Sequence, residues 1–328
     1  MKIIEEMSEL KQFGRDNKGP VVTIGNFDGV HLGHQEILKT AREIADQRRA
    51  MLIVMTFEPH PVAVLYPDVN LGILTPLKAK AKLFEKFGVD SMFILKTMPE
   101  ILHLSPAAFV DRLLKNATNL SVAVEGDNFS FGYGRAGNVH TLQSLGASTG
   151  FEVAIVEAKQ VKLSIGQAVK VSSTLIRNLL TESKVVDASA AMGRPYRLAG
   201  KIISGRGKGR KLGYPTLNIE QSDQIIPAEG VYAGYVEIGN SFETVFSENR
   251  RIPAAVSIGH TTTFGPYNPM LIEAHLLADK AAEIKGSWMA IDFIEHIRPQ
   301  HKFDKPQHLV EQIKKDCEVI MEILAAQP

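Results

Sequence analysis

The sequence predicts a Rossmann-like α/β domain built on a parallel sheet, followed by a β domain that closes as an antiparallel barrel and ends in a helix. Three observations predict this order. In the first half, short apolar runs alternate with stretches of helical period, the pattern of a parallel sheet covered by helices on both faces. From about Tyr196 the texture changes to short runs bounded by Gly, Pro and Asn, which is the pattern of an all-β unit. Near the end, Leu309, Ile313, Cys317, Ile320 and Leu324 fall on one stripe at helix spacing.

The elements follow in order. Val21–Ile24 is a short apolar strand, and a turn leads from it into a helix over about Gly33–Arg49. Met51–Phe57 is a second strand, broken by Pro59 and Pro61. Lys78–Phe87 is a helix, Ser91–Leu95 a strand, and Pro106–Leu114 a helix again. Leu120–Val124 and Phe151–Val156 complete the sheet. Lys184–Met192 reads as a linking helix, which divides the chain into residues 1–182 and 183–328. Beyond it, Leu198–Ile203, Gly230–Ile238, Ala254–Ile258 and Leu271–Leu277 are strands. In the last, Ile272, Ala274 and Leu276 alternate with Glu273 and His275, so one side faces a core.

Composition narrows the function. Thirty-seven basic residues against thirty-six acidic ones give a net charge of +1, which disfavours nucleic acid as a partner. A single cysteine, Cys317, excludes a disulfide framework and a multi-thiolate metal site. The N-terminal MKIIEEMSELKQFG lacks an apolar signal-peptide core, and no run approaches the roughly 18 apolar residues of a membrane span. The expectation is a soluble, cytoplasmic protein.

Ligands of parallel α/β sheets sit at the carboxyl ends of the strands, so the loop after Ile24 is where chemistry is expected. That loop, Gly25–His34, reads GNFDGVHLGH. It carries three glycines, leaves a buried strand and enters a helix whose free N–H groups suit an anion. His31 and His34 flank Gly33 and can point the same way, as donors to the charge that develops when pyrophosphate leaves the α-phosphorus of ATP. Two surface histidines beside a helix cap are the plainer alternative, and the ordered context of strand, glycines, Asp28 and helix outweighs it. The segment resembles the HxGH signature of adenylyltransferases and class I aminoacyl-tRNA synthetases. VSSTLIR, residues 171–177, resembles a second adenylyltransferase element, whose hydroxyls and Arg177 would hold the outer phosphates. Gly132–Gly137, GYGRAG, matches a dinucleotide fingerprint in letters only, because it follows no sheet strand of the expected kind.

A second constellation lies at Gly205–Asn218, GRGKGRKLGYPTLN, where glycines and basic residues precede an extended segment. No Walker P-loop occurs anywhere in the chain. Thr216 and Asn218, two apart on an extended backbone, point to the same side and can hold Mg²⁺ and a phosphate oxygen. Glu273 is a candidate base, or otherwise an exposed strand carboxylate.

Taken in order, TIGNFDGVHLGHQ, FEPHP, LSPAAFV, GDNFSFGYGRAG, VSSTLIR, GRPY, GRKLGYPTLNI and KFD resemble the prokaryotic bifunctional riboflavin kinase/FMN adenylyltransferase (FAD synthetase) family over nearly the whole chain. The resemblance implies an N-terminal nucleotidyltransferase domain that adenylates FMN to FAD. It also implies a C-terminal six-stranded barrel that phosphorylates riboflavin to FMN. ATP with Mg²⁺ serves both steps and no metal is tightly bound; the small-molecule partners are riboflavin, FMN, FAD and ATP/ADP, without nucleic acid or membrane. It implies that His31, His34, Arg177 and Glu273 are catalytic. Gly25, Asn26, Asp28, Gly33, Ser173 and Thr174 would bind phosphate in the first domain, and Gly205, Gly209, Arg210 and Gly213 in the second. Asn128 and Phe131 would meet the flavin, with the Phe131 ring as a stacking face. Two departures fall in the kinase half, at Thr261-Thr262-Thr263-Phe264 and at Lys285 before Gly286. They raise two alternatives: that only the adenylyltransferase half is active, or that the chain is a non-catalytic flavin- or nucleotide-binding regulator. Oligomeric state is left open.

Overall fold

A computed structural model describes residues 1–327 except 18, 70, 206, 247–250, 261–269 and 279–285. The departures at 261–264 and 285 therefore lie outside the described residues. By internal contacts the chain divides into two units. The first holds Met1–Leu71, Pro76–Val161 and Ala168–Ser172; the second holds Gly72–Thr75, Lys162–Gln167 and Ser173–Pro328.

In chain order the first stretch comprises β1 (Lys2–Ile4), α1 (Met7–Asp16), β2 (Val21–Ile24), α2 (Leu32–Arg48), β3 (Leu52–Glu58), α3 (Leu77–Lys86), β4 (Ser91–Lys96) and β5 (Val122–Gly126). A small hairpin, β6 (Ser130–Phe131) with β7 (Gly137–Asn138), precedes α4 (Val139–Thr149) and β8 (Glu152–Val156). A second hairpin pairs β9 (Gln160–Lys162) with β10 (Ala168–Lys170). The main sheet is parallel, in the order β1-β4-β3-β2-β5-β8. The inner strands alternate between two separate cores. Val22, Ile24, Met55 and Ala123 pack with Leu10, Phe109 and Leu142 on one face, and Val21, Val54, Met92 and Val124 pack with Leu38, Ala41 and Phe84 on the other. Burial on both faces explains why the strands read as continuous apolar runs. Pro106–Leu114 is helical as expected, passing at Val110 into a wider π-type turn that runs to Lys115.

Chain order runs outward in opposite directions from β2 and β5, which places the sheet's switch point between them. Their pairing joins Val21 to Val122 and Val22 to Ala123. Further along, the Ile24 N–H donates to the Glu125 carboxylate at 2.8 Å instead. Here the two strands part and a crevice can open. Glu125 is buried, and burial pushes its carboxyl well above the ordinary value, only partly opposed by the Ile24 hydrogen bond. The folded state thus keeps a proton that the unfolded chain releases, so this group's contribution to stability falls as pH rises from about 4.5 through the raised value. Glu125→Gln keeps the acceptor for Ile24 and does not titrate. It is expected to flatten the decline in unfolding free energy as pH rises above about 4.5, measured by urea denaturation. An unchanged decline would place the proton elsewhere.

The second unit begins with α5 (Ser173–Thr181) and α6 (Val185–Met192), followed by β11 (Tyr196–Ile203), β12 (Leu217–Ile219), β13 (Gly230–Gly239), β14 (Ile252–His260), β15 (Met270–Leu276), β16 (Trp288–Arg298) and α7 (Pro306–Ala325). The six strands close as an antiparallel barrel in the order β11-β12-β15-β14-β13-β16. Closure comes from β16, which pairs with both β11 and β13 and is bulged against the latter. Helix α7 packs Ile320 and Leu324 against Val231 and Ala233, and the Tyr235 hydroxyl donates to the Leu324 carbonyl at 2.9 Å. Elsewhere on the barrel, Asp292 is buried but satisfied by Arg197 in a bidentate pair at 2.7 and 2.6 Å.

Candidate active sites

In the first unit the candidate site is the Gly25–His34 loop. Phe27 and Val30 adopt φ of 47° and 37°, and Gly29 has φ 88°, so the chain turns sharply twice before the helix starts. His31 is the N-cap of α2, and its Nδ1 accepts the His34 backbone N–H at 3.3 Å. An accepting Nδ1 leaves the neutral ring's proton on Nε2, which fixes that nitrogen as a donor. The His31 and His34 rings stack with centroids 3.6 Å apart and 15° between planes. Gly33 makes this possible, since a Cβ there would stand 3.2 Å from the His31 ring. The edge of Phe27 meets His34, and Asp28 is buried in the same loop.

One residue that the sequence reading missed stands behind this loop. Lys80, on α3, is buried, and its ammonium donates to the Asn26 carbonyl at 2.7 Å and to Thr56 Oγ1 at 3.3 Å. Burial lowers its pKa, while the Asp28 and Glu58 carboxylates pull it back up.

The remaining expected residues are placed as follows. Asn128 is exposed beyond the end of β5. Phe131 is 5% exposed, held between Phe109 and Phe129 at ring distances of 5.2 and 5.4 Å. A ring so enclosed is chiefly a wall of the core. GYGRAG forms the turn of the antiparallel β6–β7 hairpin, outside the parallel sheet, so unlike a dinucleotide loop it does not follow a strand of that sheet. Ser173 begins α5, Thr174 is exposed, and Arg177 Nε donates to the Gly72 carbonyl at 2.9 Å. These three are counted with the second unit.

In the second unit the barrel brings three expected residues together. Asn218 on β12 lies directly opposite Glu273 on β15, and Thr216 Oγ1 donates to Glu273 Oε1 at 3.3 Å. Gly205 sits so close to the Asn218 amide that a Cβ would collide with it, and Gly209 is confined likewise by the Tyr214 carbonyl. Gly213 turns the chain with φ 86°, and Arg210 is exposed on the short helix Lys208–Lys211. A cavity of about 260 Å³ opens beside Thr216 and Glu273. Its apolar wall includes Val231, Val256 and Leu271, and Leu309 and Ile313 of α7 close another side. His275, two residues along from Glu273, donates Nδ1–H to the Pro215 carbonyl at 2.8 Å and so braces the turn before Thr216. Among the described residues, no three His, Cys, Asp or Glu side chains converge to cage a metal, and no helix is long and apolar enough to cross a membrane. Thr216, Asn218 and Glu273 offer hard oxygen donors, a set that fits Mg²⁺ shared with nucleotide phosphates.

A parallel-sheet unit with histidines at a helix start, joined to a barrel with a Thr–Asn–Glu cluster, defines a two-part nucleotide-using transferase. A family profile described as FAD synthetase matches residues 14–175, and one described as riboflavin kinase matches residues 192–324. A bifunctional riboflavin kinase/FMN adenylyltransferase from Listeria monocytogenes is 38% identical over 298 residues, 90% of either chain. The protein of that name from Escherichia coli K12 is 30% identical over 316 residues, 96% of either chain. Among solved structures, one described as a macrolide-efflux protein from Streptococcus pneumoniae superposes with a TM-score of 0.82 at 27% identity, covering 98% of this chain and 99% of that one. The chain belongs to the bifunctional riboflavin kinase/FMN adenylyltransferase family.

Proposed function

We propose that the family's two reactions divide along the chain, with riboflavin phosphorylated within residues 183–328 and FMN adenylated within residues 1–182. The observation that supports this is a pair of separate polar clusters, the stacked His31 and His34 in one half and Thr216, Asn218 and Glu273 in the other. In the first, a phosphate oxygen of FMN attacks the α-phosphorus of ATP and pyrophosphate leaves. His31 donates from Nε2 to the charge that develops, and His34, stacked on it, holds the ring in place. Gly25, Asn26, Asp28 and Gly33 shape the loop, and the start of α2 faces the anion. Ser173, Thr174 and Arg177 supply the second phosphate element. Asn128 contacts the flavin, and Phe131 backs that contact as a wall.

In the second half, Glu273 takes the proton from the terminal hydroxyl of riboflavin's side chain as that oxygen attacks the γ-phosphorus. Thr216 and Asn218 orient the phosphates and would hold Mg²⁺ between them and the nucleotide, where its charge would screen the phosphate oxygens. Gly205, Gly209, Arg210 and Gly213 wrap the rest of the nucleotide. The neighbouring cavity, apolar on one wall, takes the isoalloxazine ring. The test is to incubate the protein with riboflavin, Mg²⁺ and ATP and resolve the flavins chromatographically. FMN followed by FAD is expected. FAD formed only from supplied FMN would confine activity to the first half, and no product from either flavin would reduce the chain to a binding protein.

A further inference from the structure

Lys80 is an expensive residue to place where it is. A helix position flanked by Ala79, Ala81 and Phe84 in the buried face of α3 would take methionine or leucine at no electrostatic cost, whereas a buried ammonium must be paired and hydrogen-bonded. Its two hydrogen bonds do not go to distant structural groups. Both converge on the start of the Gly25–His34 loop: one reaches the Asn26 carbonyl directly, and the other reaches Thr56 Oγ1, which itself donates to the same carbonyl at 3.2 Å. The loop beyond needs such a grip. It carries two non-glycine residues at positive φ, and the Asn26 side-chain oxygen is buried with no hydrogen-bond partner. The Gln35 side chain holds the far part of the loop through the Val30 carbonyl at 2.9 Å, and at its start the hold on Asn26 comes from a cation together with Thr56.

We propose that Lys80 is a positioning residue of the adenylyl-transfer site: by gripping the Asn26 carbonyl, its ammonium holds the Gly25–His34 loop in the form that receives the ATP polyphosphate, and its charge offsets that of the phosphates. This rests on the reading of Gly25–His34 as the ATP loop. Asp28 and Glu58 are the carboxylates whose charge acts on the ammonium. Neither cancels the requirement for a cation when the anionic MgATP enters.

Riboflavin phosphorylation reports on the barrel independently of the loop, and an unchanged KM for FMN reports that the unit carrying Lys80 is still folded. Adenylylation of FMN is measured at varied MgATP and at varied FMN in wild type, Lys80→Met and Lys80→Arg, with phosphorylation of riboflavin followed in parallel. In Lys80→Met the KM for MgATP is expected to rise at least tenfold and kcat to fall at least tenfold, while KM for FMN and the phosphorylation rate stay unchanged. Lys80→Arg, which restores charge but not shape, is expected to recover most of the MgATP KM and little of kcat. Adenylylation by Lys80→Met at wild-type KM and kcat would overturn the proposal. So would equal loss of kcat in both variants with MgATP KM unmoved, the behaviour of a merely structural side chain. A wild-type protein that phosphorylates riboflavin but makes no FAD would instead remove the ATP-loop reading, and this proposal with it.

Discussion

His31→Ala is expected to cut FAD formation from FMN by roughly 10²–10³-fold while leaving FMN formation from riboflavin intact, so that FMN accumulates when both reactions run together. The magnitude follows from removing one preorganised donor to a developing phosphate charge, about 3–4 kcal/mol in transition-state terms. Alanine also deletes the N-cap acceptor that receives the His34 N–H, and losing a cap costs roughly 0.5–2 kcal/mol of stability. His31→Asn separates the two effects, because asparagine caps helices well and has no imidazole. Both variants should lose FAD synthesis, and only the alanine variant should melt appreciably earlier. An asparagine variant with normal FAD synthesis would make His31 a cap and nothing more. Chromatography of the reaction flavins and a thermal melt are sufficient to decide it.

Glu273→Gln should do the reverse. Phosphorylation of riboflavin is expected to fall by roughly 10²–10⁴-fold, the usual contribution of a positioned base, while supplied FMN is still converted to FAD. Glutamine retains an oxygen acceptor for Thr216 and the length of the side chain, so the cluster opposite Asn218 keeps its packing. What it loses is the capacity to take a proton. A variant that still phosphorylates riboflavin at the wild-type rate would show that the attacking hydroxyl needs no carboxylate there. If either His31→Ala or Glu273→Gln abolished both reactions in a folded protein, the assignment of separate sites would be wrong.

The parts of both sites that were legible in the sequence are those that lie close together along it. His31 and His34 share one helix start, and their stacking follows from a spacing of three around a glycine. Thr216 and Asn218 share a side through the two-residue period of extended chain. Glu273 has two open readings from its strand alone, a base or an exposed carboxylate, and the family resemblance is what favours the base, because its hydrogen bond to Thr216 joins residues far apart in sequence. Lys80 went unseen for a related reason: a lysine in a helix reads as solvent-facing, and only the tertiary fold turns it inward onto Asn26. Phe131, conversely, looked available for stacking until its neighbours Phe109 and Phe129 were in place around it.

The fold shows the same division. The central strands of the sheet were legible as apolar runs because both their faces are covered. Lys2–Ile4 was missed, since a three-residue edge strand acquires its identity by lying beside Ser91–Phe93 rather than from its own pattern. Trp288–Arg298 was missed although it is the longest strand. Met289 to Phe293 are all buried, which erases the alternation that marks a one-sided strand, and the run contains Asp292, whose charge is matched by Arg197 and Arg251, both distant in sequence.

That same strand determines how the barrel can be assembled. Because β16 pairs with β11 at one edge and β13 at the other, the barrel closes only when its last strand meets its first. The entropy of bringing such distant segments together is spent before the reward of pairing arrives, which makes this a topology of high contact order and slow formation. Until that moment β11 and β13 each present an open edge, the geometry that invites strand exchange with another chain. The sheet of the first unit carries the same burden, since β1 pairs with β4 and β2 with β5 across comparably long stretches of chain.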